Sequence, residues 1–316
     1  MPGRWARSWV VSWTLSDIPS RHGRVALVTG ANSGIGYDTC AALAAAGAEV
    51  ILAARSPERG EAAVRKLRAA HPQTNVRFEQ LDLGSLASVR EFARRILDNH
   101  TRLDLLINNA GVMALPKRET TEDGFERQMG VNFIGHFALT AHLLPLLRKA
   151  PMPRAVQLSS LAHTRGQIHF DDLQWERSYS AWGAYSQTKL AMLMFGMELG
   201  RRADAAGWNL ISTTAHPGWA RTALVANGPG MSWSGRIVSW IAPLFSQSSK
   251  DGALPTLYAA VSPDVVQGGY YGPMGRGETR GPPGPARIAP QALDREVAAR
   301  LWDESERLTG CTLQIG

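Results

Sequence analysis

From Arg24 onward, short apolar runs alternate with stretches of helical periodicity, the pattern of βαβ units feeding a parallel sheet. RVALVTG predicts a first strand and ILAAR closes a second, with Gly47 standing between them where a helix C-cap belongs. VRFEQLDL, LDLLINNAG, RAVQLSS and WNLISTTAHPG predict four more. Helices are expected over 34–46, 57–70, 85–98, 123–149 and 182–206, with Ser85 and Asp123 as N-caps. Around Met129 apolar residues outnumber polar ones, so that helix should be largely buried. Two later segments break the rhythm. Residues 227–247 carry an apolar stripe at helical spacing, and 267–290, rich in Gly and Pro, predict loop ahead of a final helix over 292–308. The expectation is an α/β fold: a single Rossmann-type doubly wound parallel sheet of about seven strands, with helices on both faces. An N-terminal extension (1–22) precedes one domain (23–316), whose end (267–316) is a C-terminal extension.

Composition narrows the classes. With 44% hydrophobic and 19% charged residues the chain can bury a full core. The net charge of +7 comes from basic groups scattered along the chain, without dense runs or aromatic interleaving, so no nucleic-acid partner is expected. Cys40 and Cys311 belong to no CxxC or Cys/His cluster, which fits a reducing compartment and argues against a zinc site. No stretch approaches eighteen uninterrupted apolar residues, so no membrane-spanning helix is expected. Trp5, Trp9 and Trp13 recur every four residues beside Arg4 and Arg7; peripheral membrane contact stays open there, beside a disordered or packed tail.

The first strand ends in Thr29-Gly30-Ala31-Asn32-Ser33-Gly34-Ile35-Gly36, which runs directly into a helix. Glycines let the backbone approach a pyrophosphate, and the helix N-terminus offers unpaired N–H groups and a positive dipole end. The second strand ends Ala53-Ala54-Arg55, with no acid until Glu58. Arginine at that place pairs with a ribose 2′-phosphate, where a carboxylate would bind the free hydroxyl of NAD. NADP(H) is the expected cofactor. Tyr185 and Lys189 lie four apart on one helical face, so the lysine charge can favour the phenolate of an otherwise weak acid. His136, His163 and His216 match no metal-ligand spacing, and no GxSxG turn is present for a serine triad.

The spacing TGxxxGxG, followed in order by Asn108-Asn109-Ala110-Gly111, Ser159-Ser160, Tyr185-Ser186-Gln187-Thr188-Lys189 and Pro217-Gly218, resembles the short-chain dehydrogenase/reductase family. LVTGANSGIG, DLLINNAGVM, VNFIGHFALT and LSSLAHTRGQIHFDDL are most similar to its retinol dehydrogenase and protochlorophyllide reductase-like group. The resemblance covers about residues 23–226 and, more weakly, 249–272. It implies a hydride transfer between nicotinamide and the carbonyl or alcohol of a bulky apolar substrate, in an enzyme that associates through helices into a homo-oligomer; the cytoplasmic location expected here comes from the cysteine usage, not from the resemblance. Tyr185 is implied as general acid/base, Lys189 as its partner, Ser160 (with Ser159 the alternative) as hydrogen-bond donor to the substrate oxygen, and Asn132 as holder of a relay water. The cofactor would meet Gly30, Asn32, Ser33, Gly34, Ile35, Gly36, Arg55, Asp82, Leu83, Asn109, Ala110, Gly111, Tyr185, Lys189, Pro217, Gly218 and Thr222. Asn109 to Gly111 are implied to line its adenosine half. Residues 223–248 fall where the family carries its substrate-covering segment. A non-catalytic NADP(H) sensor or scaffold is the competing reading; it would need the glycine turn but not Ser160, Tyr185 and Lys189 together.

Overall fold

A computed structural model of the chain describes residues 12–219 and 247–315. Six of its strands are the expected ones: β1 (Val25–Thr29), β2 (Glu49–Ala54), β3 (Val76–Gln80), β4 (Leu105–Asn108), β5 (Arg154–Leu158) and β6 (Ile211–Ala215). They pair in parallel in the order β3-β2-β1-β4-β5-β6, so the strand order reverses between β1 and β4. Every residue of β1 and β2 after the first is buried, as a sheet covered on both faces demands.

Helices α1 (Gly34–Ala45), α2 (Pro57–Ala70) and α3 (Leu86–Asn99) stand within a residue or so of the expected bounds. Gly47, at φ 93°, closes α1: its N–H donates to Ala44 and that of Ala48 to Leu43, a Schellman stop. Ser85 caps α3 by accepting the Ser88 N–H at 3.3 Å. The expected cap at Asp123 is corrected. Helix α4 (Arg127–Arg148) starts at the buried carboxylate of Glu126, which accepts the N–H groups of Gln128 and Met129, while Asp123 accepts the Leu86 N–H of the neighbouring α3. A π turn interrupts α4 at Gly130–Ile134. By length and composition α4 could cross a membrane, but 78% of its most apolar window is buried in the protein, so it is a core helix here. Helix α5 (Ala181–Ala205) follows, capped by Ser180.

The segment read as loop over 267–290 is also corrected. It holds β7 (Tyr270–Pro273), parallel to β6, and β8 (Pro283–Pro285), antiparallel at the edge. Gly and Pro hide both strands from a reading by composition, and Pro is tolerated in β8 because an edge strand has one unpaired side. The sheet therefore has eight strands. Helix α6 (Ser249–Val261), not anticipated, packs against α1, and α7 (Arg295–Thr309) closes the fold. The C-terminal extension is thus part of the core. Trp302 of α7 is 2% exposed and lies edge-on to Phe137 of α4 at 5.4 Å and tilted against Phe195 of α5 at 5.7 Å. Of the N-terminal extension, Trp13 meets Tyr258 edge-on at 5.5 Å, and Arg21 donates to the Val261 carbonyl. Trp5, Trp9 and the stripe over 227–246 lie outside the described residues.

Trp302→Ala should cost about 3–5 kcal/mol, the usual penalty for emptying a buried aromatic site. Urea unfolding of the full chain measures it; a change under about 1 kcal/mol would mean that α7 is not integral to the core.

Candidate active site

The motif residues gather at the carboxyl ends of β1, β4, β5 and β6. Gly30 (φ 65°) and Gly34 (φ 57°) adopt left-handed backbone in the turn after β1. A Cβ on Gly30 would stand 2.7 Å from Ala110 Cα, and one on Gly36 would stand 2.5 Å from Asn109 Nδ2. These two glycines therefore have an internal reason to lack side chains: they let the turn after β4 close against the turn after β1. Ser33, extended and exposed, stands at the N-cap of α1, but its hydroxyl makes no capping bond, so the first-turn N–H groups keep no side-chain partner. Asn32 lies beside it, half-buried, and Ile35 is buried in the core.

Thr29 joins the two turns. Its Oγ1 accepts the N–H groups of Asn109 at 2.9 Å and Ala110 at 3.0 Å, and Asn109 Nδ2 returns a bond to the Thr29 carbonyl at 2.7 Å. The same hydroxyl lies 2.9 Å from Nε2 of His136, whose Nδ1 lies 2.9 Å from the Asn132 carbonyl. A carbonyl can only accept, so Nδ1 carries the proton, Nε2 is bare, and Thr29 donates to it. Complete burial holds His136 neutral, its pKa lowered to about 4. In the sequence His136 stands out only as a candidate for metal or triad chemistry; its place four residues after Asn132 on an apolar helix was the available signal.

Arg55 is exposed just beyond β2, near Ser56, which caps α2. Asp82 Oδ1 accepts the Gly84 N–H at 2.8 Å in a local turn, and Leu83 is buried where Gly135 leaves room for it. A Cβ on Gly111 would sit 3.3 Å from Asn132 Oδ1 and 3.6 Å from Lys189 Nζ, so the β4 turn reaches Asn132 and Lys189. Pro217 and Gly218 follow β6 as expected; Thr222 lies outside the described residues.

Tyr185 and Lys189 share one face of α5, both nearly buried at 7% and 5% exposure. Ser160 lies beside Tyr185, close enough to oppose the rise in its pKa, and its Oγ accepts the Ala162 N–H at 3.2 Å. The hydroxyl of Ser159 is spent on the Lys189 carbonyl at 2.7 Å, so of the two serines Ser160 faces the phenol. Asn132 is fully engaged: Oδ1 accepts the Val112 N–H at 2.7 Å, and Nδ2 donates to the Val112 carbonyl at 2.9 Å and Thr188 Oγ1 at 3.1 Å. Electrostatics differ from the expected lowering of the phenol by lysine. Burial pushes Tyr185 up to about 12, opposed by the neighbouring Ser160 hydroxyl, and burial lowers Lys189 to about 8. Lys189 Nζ is 5.7 Å from the Tyr185 ring centre and donates to the Leu158 carbonyl at 2.9 Å, so its bonding is not directed at the phenolic oxygen. Among the described residues no group of three or more His, Cys, Asp or Glu side chains comes together to hold a metal.

The family model for short chain dehydrogenases matches residues 24–229. The chain belongs to the short-chain dehydrogenase family. Human retinol dehydrogenase 13 is 44% identical over 293 residues, covering 91% of this chain and 85% of that one. Mouse polyprenol dehydrogenase is 42% identical, covering 93% and 86%. The crystal structure of a protein from Mycobacterium paratuberculosis superposes with a TM-score of 0.78 at 41% identity, covering 96% of this chain and 99% of that one. A short chain dehydrogenase from Shigella flexneri, complexed with NADP, superposes at 0.61 with 26% identity, covering 79% and 96%. This short-chain dehydrogenase is thus an oxidoreductase similar to the retinol dehydrogenases, with the strand-end motifs of its family in one place.

Gly30→Ala should lower stability by about 2–4 kcal/mol without any ligand, because the new Cβ meets backbone and strains a left-handed residue. Thermal unfolding measures this; an unchanged melting temperature would leave phosphate approach as the sole reason for the glycine.

Proposed function

We propose that the protein is an NADP(H)-dependent oxidoreductase that interconverts a carbonyl and an alcohol on a bulky apolar substrate, with Tyr185 as general acid/base. The observation that carries this reading is Tyr185 beside Ser160 at the end of β5, with Lys189 on the same helical face and Gly111 bringing the β4 turn to them. The donors around the glycine turn fit the cofactor. The uncapped first-turn N–H groups of α1 suit a pyrophosphate, and exposed Arg55, with no acid before Glu58, suits a 2′-phosphate. The NADP complex of the Shigella flexneri relative supports the same choice. Gly30, Asn32, Ser33, Gly34, Ile35, Gly36, Asp82, Leu83, Asn109, Ala110, Gly111, Pro217, Gly218 and Thr222, with Tyr185 and Lys189, complete the proposed cofactor contacts.

When bound, the nicotinamide supplies or accepts hydride at the substrate carbon. This chain's residues handle the oxygen. In reduction Ser160 donates a hydrogen bond to the carbonyl oxygen as charge grows there, and Tyr185 gives that oxygen its proton. A phenol raised to about 12 stays protonated at neutral pH, which suits delivery of a proton. Asn132 serves here by holding the β4 turn to α5 through Val112 and Thr188. The names of the retinol and polyprenol dehydrogenases support a large apolar alcohol or carbonyl as substrate. The free Cys40 and Cys311 suit a reducing compartment, and we assign the protein to the cytoplasm.

Tyr185→Phe should reduce kcat about 10²–10⁴-fold for any carbonyl that the wild type reduces, followed by nicotinamide absorbance. Retained turnover sinks the assignment and favours a sensor. Through space, the Lys189 charge 5.7 Å from the Tyr185 ring favours release of the phenolic proton; it is present below the lowered pKa of about 8 and lost above it, so wild-type reduction should hold through neutral pH and decline as pH rises past about 8. A rate that keeps rising through that range removes the ammonium from the mechanism.

For the cofactor, Arg55→Asp should lower kcat/KM for NADPH about tenfold or more while sparing NADH, the scale of one lost charge-assisted hydrogen bond. Equal effects on both cofactors would mean that Arg55 does not read the 2′-phosphate.

A further inference from the structure

The C-terminal segment reaches the reacting end of the sheet through a residue that no sequence motif singles out. Glu278 sits at φ 54°, one of three non-glycine residues at positive φ among the described residues. Such a conformation is uncommon for a long side chain and persists where the surroundings over-determine it. Its carboxylate supplies that determination. Oε1 accepts the Arg287 N–H at 2.8 Å, and Oε2 lies 3.1 Å from Nε2 of His216 at the end of β6. The His216 hydrogen bond holds the carboxyl below the usual carboxylate range.

His216 is fully buried and fixed at both nitrogens. The Gly218 N–H donates to its Nδ1 at 3.2 Å, so Nδ1 is bare and the proton on Nε2 is donated to Glu278. Beside Glu278, the Thr279 carbonyl accepts the Trp219 N–H at 2.9 Å and presses so closely on Gly218 (φ 63°) that a Cβ could not fit there. Where the chain returns, Gln247 N–H donates to the Trp219 carbonyl at 2.8 Å and its side-chain amide to the Pro217 carbonyl at 2.6 Å. The same cluster touches the end of β5. Tyr270 donates to the Ser160 carbonyl at 3.5 Å, and its ring lies 5.2 Å from those of both His163 and His216. Among the described residues, the side-chain and backbone bonds that hold the turn after β6 come from Glu278 through His216, from Thr279 and from Gln247.

We propose that Glu278 is a positioning residue: by fixing His216 it sets the Pro217–Trp219 turn in register with Ser160 and Tyr185, so that the turn's backbone meets bound NADP(H). This rests on the oxidoreductase reading above. The test uses the full chain and Glu278→Ala, Glu278→Gly and Glu278→Gln. Amide exchange at Gly218 and Trp219, NADPH binding by nicotinamide fluorescence, steady-state constants and melting temperature are measured on each. In Glu278→Ala the two amides should exchange about tenfold faster and NADPH should bind about tenfold more weakly, the scale of one lost charged hydrogen bond. Glu278→Gly should show the same losses while melting above Glu278→Ala, because glycine relieves the left-handed backbone. Glu278→Gln should fall between, since its one carbonyl oxygen can keep only one of two N–H partners.

A lower melting temperature with unchanged NADPH binding and KM would mark a merely structural residue and overturn the proposal. Unchanged exchange at Gly218 and Trp219 overturns it too, whatever the activity. A wild type that neither binds NADPH nor turns over would instead sink the oxidoreductase reading, and the proposal with it. The exchange data separate the two failures, because they read the clamp without turnover.

Discussion

The Thr29 hydroxyl is the contact around which the site is assembled. One oxygen takes two N–H groups from the β4 turn and gives its proton to His136, and this uses its whole hydrogen-bonding capacity. The consequences run outward. The β4 turn is drawn so close to the β1 turn that Gly30 and Gly36 must lack a Cβ, and His136 must stay neutral with its proton on Nδ1. That proton goes to the Asn132 carbonyl, and Asn132 in turn ties Val112 to Thr188 on the helix that carries Tyr185. The glycine turn and the reacting residues, far apart in sequence, are parts of one buried polar network. Such a network is costly if any member is left unpaired, and so it specifies a single arrangement.

Burial sets the electrostatics of the reacting pair. It disfavours charge on both partners, raising the phenol and lowering the ammonium, and the neighbouring Ser160 hydroxyl opposes only the first of these. Lys189 gives its bond to the Leu158 carbonyl at the end of β5, which fixes the amine against the strand that presents Ser160. With the phenol protonated and the serine beside it, the resting site is arranged as a proton donor.

Much of this was legible in the chain because period and spacing are local properties. Alternating apolar runs located six strands, and Ser85 and Gly47 act as the cap and stop that their residue types suggest. The strand-end motifs stand at the carboxyl ends of the strands that the apolar runs predict. What escaped depended on contacts distant in sequence. Asp123 looked like a helix cap and caps a different helix, because the buried carboxylate of Glu126 takes the N–H groups of its own. Strands β7 and β8 are built from Tyr, Gly and Pro, whose local preferences point to loop, and only pairing along the sheet edge makes them strands. For Lys189 and Tyr185, spacing on a helix fixes the shared face, but burial and the Leu158 carbonyl, which spacing does not show, also act on the charge.

The C-terminal segment carries this point furthest, because it completes both the core and the site. Trp302 fills the space between α4 and α5 beside Phe137 and Phe195. Some twenty residues earlier, Glu278 and Thr279 hold the turn after β6. These two tasks constrain each other. Tyr270 stands in β7, so its hydroxyl reaches the Ser160 carbonyl only when β7 is paired with β6, and Ala289, which donates to His163 at 3.3 Å, leads directly into the turn before α7. A chain that lost the packing of α7 would therefore release the β5 and β6 ends together. In this fold the geometry at the phenol depends on the last fifty residues as well as on the motif-bearing ones.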